Sequence, residues 1–112
     1  MMDFKQKDIC LVNFNPAKGG EIGKLRPAII MSANDDIEIL NTVIVIPLST
    51  VIESNAMPYR YNISKRDKLE KDSDACIYEI RALSKTRVKE KLTHITHKEL
   101  TVINDALCQI LK

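Results

Sequence analysis

The sequence has no tryptophan and only two phenylalanines, three tyrosines and three glycines among its 112 residues. With so few aromatic rings, base stacking cannot be the main mode of any nucleic-acid contact. No apolar run is long enough to span a bilayer, and the N-terminal MMDFKQKDIC lacks the apolar stretch of a signal peptide. These absences predict a soluble protein of the cytoplasm that makes no membrane contact.

Cysteine and histidine are equally scarce. Cys10, Cys76 and Cys108 are odd in number, widely spaced and set in apolar runs, which predicts core residues in a reducing compartment and no disulfide framework. His94 and His97 are the only histidines, and no Cys or carboxylate lies at a supporting ligand spacing. We therefore expect no metal and no cofactor, and two surface histidines.

The composition is that of one folded domain over residues 1–112, with 45% hydrophobic and 29% charged residues. The net charge of +2 is too small to indicate nucleic-acid binding by itself. Its distribution is uneven, with −2 in residues 1–56 and +4 in residues 57–112. The second half offers a basic surface or a merely solvated face; its cations are Arg60, Lys65, Arg66, Lys85, Arg87 and Lys89.

Apolar and β-branched runs predict a series of strands, followed by one helix. The strands are expected at 8–14, 28–32, 42–48, 59–63, 75–82 and 88–95, with a turn at 34–36 and a surface excursion at 64–74. Pro47 should lie at a bulge or at a strand end. Thr96 and Glu99 form a capping box before a helix over 97–111. The predicted fold class is α+β, a small twisted, mostly antiparallel sheet or SH3-like partly open barrel with a C-terminal helix.

The loop 18–27, KGGEIGKLRP, connects the first two strands and is too long for a tight turn. Gly20 and its neighbouring glycines let the backbone approach a ligand, while Lys18, Lys24 and Arg26 supply cationic donors and Glu21 the one acid. Arginine offers a planar fork that matches two phosphate oxygens. Pro27 follows Arg26 and biases it toward an extended conformation. The alternative interpretation of this loop is a solvated turn.

A second candidate lies at the end of the predicted strand 42–48, where Ser49 and Thr50 place two hydroxyls at a strand terminus. The sequence has no nucleophile elbow, P-loop, dinucleotide fingerprint or EF-hand. The chemistry that remains rests on Arg26, Glu21, Ser49 and Thr50.

The stretches GGEIGKLRP, VIVIPLST and EIRALSKTRVKEKLTHI, in that order before the terminal helix, resemble the MazF/PemK (Kid) family of type II toxins. The resemblance covers nearly the whole chain. It implies that Arg26 is the catalytic arginine, that Glu21 is a loop acid contacting RNA, and that Ser49 stands where many members have a catalytic threonine. Thr50 remains an alternative hydroxyl, and Glu79 stands where many relatives have glutamine.

The family's activity implies a sequence-specific, metal-independent mRNA interferase. It cleaves single-stranded RNA through attack of the 2′-hydroxyl, leaving a 2′,3′-cyclic phosphate and a 5′-hydroxyl. Arg26 would stabilise the charge of the transition state, Ser49 would anchor the phosphate, and Glu21 would act as base or orienter. The expected RNA-binding residues are Lys18, Gly20, Lys24, Thr50 and Glu79.

The resemblance also implies partners, namely a homodimer and a MazE-like antitoxin whose disordered acidic tail occupies the RNA groove. Two other functions stay open. The same fold serves CcdB-type toxins, which bind gyrase and cleave nothing, although this chain ends in CQILK without the aromatic residue expected of such a binder. The other alternative is an inert small-barrel binding module.

Overall fold

A computed structural model of the protein describes residues 3–16, 19 and 24–112. Within them the chain forms seven strands, two helices and two short 3-10 turns. In chain order these are β1 Asp8–Asn13, β2 Leu25–Ile30, α1 Asn34–Ile39, β3 Thr42–Ser49, β4 Arg60–Ile63, β5 Ser73–Cys76, the turn Ile77–Glu79, β6 Arg81–Ser84, the turn Lys85–Arg87, β7 Val88–His94 and α2 His97–Ile110.

The strands form one antiparallel sheet in the order β4-β5-β3-β2-β1-β7, which together with α2 confirms the predicted fold class. One edge of β3 pairs with β2, while β5 and β6 share the other edge. The prediction of a single strand over 75–82 is wrong, because the turn Ile77–Glu79 separates β5 from β6. Pro47 lies inside β3 and is paired with Ala28 of β2, so the prediction of a bulge or a strand end is wrong. On the other edge of β3 it lies between the residues paired with β6 and those paired with β5.

The two faces of the sheet carry separate clusters of buried side chains. On one face, α2 packs through Leu100, Ile103 and Ala106 against a cluster that includes Ile29 and Ile46. The opposite face holds a second cluster of buried side chains: Phe4, Cys10, Val12, Phe14, Ala28, Ile30, Ile37, Val43, Val45 and Val88. We call the two sides the helix face and the open face.

Two of the three cysteines belong to the core, as predicted. Burial raises the pKa of the Cys10 thiol to about 12, with the nearby Asp8 adding to the effect, and burial likewise raises the pKa of Cys76. Both are therefore protonated, unreactive thiols at neutral pH. Cys108 is exposed, so its placement in the core was wrong. It lies in α2 between Leu107, which packs on the core, and exposed Gln109.

Three other segments depart from the sequence prediction. Residues 34–36 begin the helix α1 rather than a turn, since Ile37 buries its side chain in the core and acidic residues suit the first turn of a helix. β2 begins at Leu25 instead of residue 28 because β1 pairs with it from Asn13 onward. Ser73 and Asp74 belong to β5 and are buried, although the sequence pattern predicts a surface excursion there.

The start of α2 is as predicted. The Thr96 hydroxyl accepts from the Glu99 backbone N–H at 3.1 Å, and Glu99 Oε1 accepts from the Thr96 N–H at 2.8 Å, which completes the capping box. Arg66 also donates to both carboxylate oxygens of Glu99, at 2.7 and 2.9 Å. These bonds lower the pKa of Glu99, with the Arg66 hydrogen bond as the largest cause.

The lowered pKa of Glu99 predicts a pH-dependent stability. Because the folded pKa lies below the ordinary value of 4.5, the contribution is complete above that value and disappears as the pH falls through the folded pKa. We expect the free energy of unfolding to fall below about pH 4.5 in the wild type and to fall less in Glu99→Gln. Urea titrations at several pH values between 3 and 7 measure the free energy of unfolding of both proteins. If the two plots of this free energy against pH are parallel, Glu99 does not cause the loss of stability in acid.

Candidate active site

Two of the three predicted catalytic residues, Arg26 and Ser49, lie on neighbouring strands of the sheet, whereas the third, Glu21, lies outside the described residues. Arg26 is paired with Val12 of β1, and Ser49 is paired with Asp74 of β5. The pairing of β2 with β3 matches Ala28 with Pro47, and the same register extended by two residues sets Arg26 opposite Ser49. Side chains directly opposite each other in an antiparallel pair share a face, with Cα atoms about 4.5–5.5 Å apart. This extension of the printed register puts Arg26 and Ser49 on neighbouring strands at the same level, although 22 residues of intervening chain separate them.

Arg26 and Ser49 lie on the open face of the sheet, away from α2. Val12, Ala28 and Val45 belong to the open-face cluster, and alternation along the strands gives Arg26 and Ser49 the same side. Both side chains are half-buried. A guanidinium and a hydroxyl in such a position are accessible to a ligand while their backbones are held by neighbouring strands.

Ser49 and Thr50 point to different sides, which bears on the choice between the two hydroxyls. Thr50 is exposed and lines a hollow of about 270 Å³ with Leu11 and Pro27. Leu11 and Pro27 are paired with each other and alternate with Val12 and Arg26, so they belong to the helix face. Ser49 is thus the hydroxyl that shares the face of Arg26.

The mouth of the loop 18–27 is closed by hydrogen bonds. The Phe14 N–H donates to the Lys24 carbonyl at 2.8 Å, and the Lys24 N–H donates to Asn15 Oδ1 at 2.7 Å. Arg87 adds a clamp by donating to the carbonyls of Asn13, at 3.1 Å, and Asn15. Lys24 has a φ of 69° and an exposed side chain at the start of β2. The predicted site residues Lys18, Gly20 and Glu21 lie outside the described residues.

Arg81 is a second arginine on the open face, and the sequence analysis did not select it. It is paired with Val45 of β3, and its guanidinium carbon lies 4.6 Å from the centroid of the Phe14 ring. Glu79 is half-buried in the 3-10 turn just before β6. The chain therefore runs from Glu79, in the turn between β5 and β6, to Arg81, which lies on the same face of the sheet as Arg26.

A buried carboxylate next to Ser49 was also missed. Asp74 is 1% exposed and accepts hydrogen bonds from the Glu53 N–H at 2.9 Å, from Arg60 Nη1 at 3.4 Å and from Asn62 Nδ2 at 3.4 Å. In the sequence, Arg60 and Asn62 alternate along the predicted strand, which indicates two polar side chains on one face. The acceptor that they share, Asp74, is 12 or more residues away and could not be identified from this pattern.

The segment after Ser49 is fixed by the same network. The Val51 N–H donates to Ser49 Oγ at 3.2 Å, and Arg60 Nη1 donates to the Val51 carbonyl at 2.9 Å. The Glu53 N–H donates to Asp74, and the Glu53 carboxylate forms an ion pair with Arg60, with 3.1 Å between Oε2 and Nε. The end of β3 is therefore tied to β4 and β5, which fixes where the Ser49 hydroxyl lies.

Comparison with known proteins identifies the family and the fold. The profile of a family described as "PemK-like, MazF-like toxin of type II toxin-antitoxin system" matches residues 5–111. The chain belongs to this family. An "Endoribonuclease MazF" of Staphylococcus saprophyticus is 34% identical over 92% of this chain and 87% of its own length, and one of Staphylococcus epidermidis is 33% identical with the same coverage.

Solved structures of toxins share the fold at lower identity. MazF from Deinococcus radiodurans superposes with a TM-score of 0.80 at 19% identity, covering 97% of this chain and 98% of that one. The Mycobacterium tuberculosis toxin MazF-mt6 gives 0.77 at 13% identity, covering 93% and 95%. An endoribonuclease from a mycobacterial species, solved with its cognate antitoxin, gives 0.76 at 18% identity, covering 97% and 95%.

The described part of the chain contains no group of three or more His, Cys, Asp or Glu residues placed to hold a metal ion. His94 and His97 are both exposed, as predicted. No helix within residues 3–16 and 24–112 is long and apolar enough to cross a membrane.

Proposed function

We propose that this MazF/PemK-family toxin is a sequence-specific endoribonuclease, an mRNA interferase, whose single domain, residues 1–112, cleaves single-stranded RNA. The observation that carries the proposal is the register that sets Arg26 opposite Ser49 on the open face of the sheet. Two relatives about one third identical over most of the chain are named endoribonucleases, which supports the same activity here. They also disfavour the gyrase-binding alternative, as does the retention of Arg26.

The reaction uses the substrate's own 2′-hydroxyl as nucleophile. The 2′ oxygen forms a bond to phosphorus, the bond from phosphorus to the 5′ oxygen breaks, and the products are a 2′,3′-cyclic phosphate and a 5′-hydroxyl. Negative charge gathers on the equatorial oxygens of the five-coordinate state, where Arg26 donates bidentately and Ser49 donates from its hydroxyl. We assign Glu21 to accept or orient the 2′ proton and Arg26 to donate the proton that the leaving 5′ oxygen takes up, after which Arg26 regains a proton from solvent.

The same chemistry selects the substrate. DNA lacks the attacking hydroxyl, and an RNA duplex holds that hydroxyl out of line with the leaving oxygen, so single-stranded RNA is the substrate. Lys18, Gly20 and Lys24 of the loop contact the RNA backbone in this proposal. Thr50, which was also expected to bind RNA, faces the other side of the sheet and is left out of the proposed contact. Glu79, an acid near the path of the phosphates, affects which sequences are preferred.

The partners we propose are a second copy of the chain and a cognate antitoxin with an acidic tail. A structural relative has been solved with its cognate antitoxin, and an acidic disordered segment is complementary in charge to Arg26 and Lys24 of the candidate site. We place the protein in the cytoplasm, where messenger RNA is found.

The mechanism predicts that cleavage does not depend on a divalent metal. We expect purified protein to cleave a long unstructured RNA at the same rate with and without excess EDTA, because the nucleophile comes from ribose and the charge is stabilised by side chains. End analysis of the products should show 5′-hydroxyl and 2′,3′-cyclic phosphate termini. Loss of cleavage in EDTA, or products with a 3′-hydroxyl, would contradict the mechanism.

A further inference from the structure

Two of the three tyrosines line the same hollow at the end of the sheet. Tyr59 and Tyr78, together with Met57, border a hollow of about 480 Å³, which we call the tyrosine pocket. Their exposed fractions are 56%, 49% and 48%. Tyr59 precedes β4 and Tyr78 lies in the turn Ile77–Glu79, so only folding brings the rings together. Three large exposed apolar side chains around one hollow are typical of a ligand site.

The wall of the tyrosine pocket is held in place before any ligand arrives. Arg60 contacts Glu53 through Nε at 3.1 Å and Asp74 through Nη1 at 3.4 Å. Burial opposes the charge of Arg60, but the hydrogen bonds to Tyr78 and Asp74 and the charge of Glu53 outweigh it and raise the pKa of Arg60. Arg60 therefore stays charged and is held at the wall of the tyrosine pocket by its two carboxylate partners. A site ordered in this way loses less entropy when it binds.

The charges of the tyrosine pocket favour a neutral ligand over a phosphate. Arg60 is the only cation among its described lining residues, and it faces the two carboxylates of Glu53 and Asp74. One guanidinium against two carboxylates leaves a net negative charge, which repels phosphate. The aromatic rings instead offer flat apolar faces, on which any nucleobase can stack.

The position of the tyrosine pocket relates it to the cleavage site. Asp74 is paired with Ser49 across the strands, and the same carboxylate accepts from the Glu53 N–H in the pocket wall. Ser49 and the pocket are therefore separated by only the short segment that follows Ser49. An RNA strand whose scissile phosphate lies at Arg26 and Ser49 has a neighbouring base within reach of the tyrosines.

We propose that the tyrosine pocket binds one unpaired nucleobase of the substrate RNA, adjacent to or next but one to the scissile phosphate, and sets the base preference there. This inference rests on the proposed endoribonuclease activity. The base stacks on Tyr78 and Tyr59, while Glu53 and Asn55 present a carboxylate and an amide to its edge. Glu53 Oε2 contacts Arg60, and a carboxylate has lone pairs left to accept from an exocyclic amino group. The preferred base is therefore one that carries an amino group, in contrast to uracil.

Cleavage of a single-stranded RNA pool with randomised bases around one cleavage site tests the proposal. The wild type should show a preference for an amino-bearing base at one position. Tyr78→Leu and Tyr59→Leu should each lower kcat/KM for the preferred RNA by roughly 5- to 150-fold, the range of one stacking contact. The preference should weaken in both variants, because a base that no longer stacks is no longer held against Glu53. Tyr78→Phe keeps the ring and should keep the preference. Tyr61→Leu is the matched control, because Tyr61 packs on the helix face.

Binding without cleavage gives a second readout. An RNA with 2′-deoxyribose at the cleaved position and 2-aminopurine at the selected position should lose fluorescence on binding to the wild type, and much less on binding to Tyr78→Leu. Unchanged base preference in both leucine variants, with circular dichroism showing intact folds, would overturn the proposal. So would variants that keep the preference and lose only affinity for an antitoxin peptide. Absence of any RNA cleavage by the wild type would instead refute the underlying endoribonuclease activity.

Discussion

Replacement of Arg26 by alanine is expected to lower kcat/KM for RNA cleavage by about a hundred- to a thousand-fold. In the proposed mechanism Arg26, which the extended β2–β3 register sets opposite Ser49, stabilises the charge that develops on the phosphate. A preorganised donor of this kind acts in the transition state, so its loss lowers kcat more than it raises KM. Initial rates on a fluorogenic single-stranded RNA, measured over a range of substrate concentrations, separate the two parameters.

Two variants make the Arg26 experiment specific. Arg26→Lys keeps the charge but loses the planar fork, and we expect it to recover only a small part of the rate. Lys98→Ala removes one cation from the exposed surface of α2, on the other side of the sheet, and should leave the rate unchanged. If Arg26→Ala cleaves RNA as fast as the wild type while its circular dichroism is native, Arg26 is not the catalytic arginine.

Asp74→Ala is expected to lower the free energy of unfolding by about 3 kcal/mol. The substitution removes a carboxylate that is 1% exposed and leaves the Glu53 N–H and the Asn62 amide without this acceptor. Arg60 also loses the Asp74 carboxylate and keeps only that of Glu53. Because the Arg60 side chain is only 13% exposed, water cannot fully replace the lost partner. Urea unfolding at neutral pH, followed by circular dichroism, measures the change.

Glu53→Ala provides the matched control, since it removes the other carboxylate from the same arginine. The Glu53 side chain is 62% exposed, so its ion pair with Arg60 is screened by water and its loss should cost less than about 1 kcal/mol. The backbone N–H of Glu53 still donates to Asp74 in that variant. Equal effects of the two substitutions would show that burial of Asp74 does not determine the strength of this network.

The parts of the fold that the sequence predicted are those encoded locally. The capping box at Thr96 and Glu99 and the apolar periodicity after it determine α2, and the β-branched run before Ser49 determines β3. The six residues of α1 have low helix propensity and are helical because Ile37 packs into the core, a tertiary effect that no local pattern reveals.

For the candidate site, too, individual residues could be recognised from the sequence, but their arrangement in space could not. Arg26 before Pro27 and Ser49 at a strand end were recognisable from sequence, yet their proximity depends on the pairing of β2 with β3. Aspartate is unfavourable in strands, so Asp74 reads as part of a surface loop until Arg60 and Asn62 are found beside it. The roles of Lys18, Gly20 and Glu21 remain predictions, because they fall outside the described residues.

The pairing of β1 with β7 bears on how the protein is made. The first strand of the sheet cannot complete its hydrogen bonds until the last one has left the ribosome, because nonlocal strand pairs must wait for the whole intervening chain. The sheet that supports β2 and β3, and with them Arg26 and Ser49, is therefore complete only after β7 has been made.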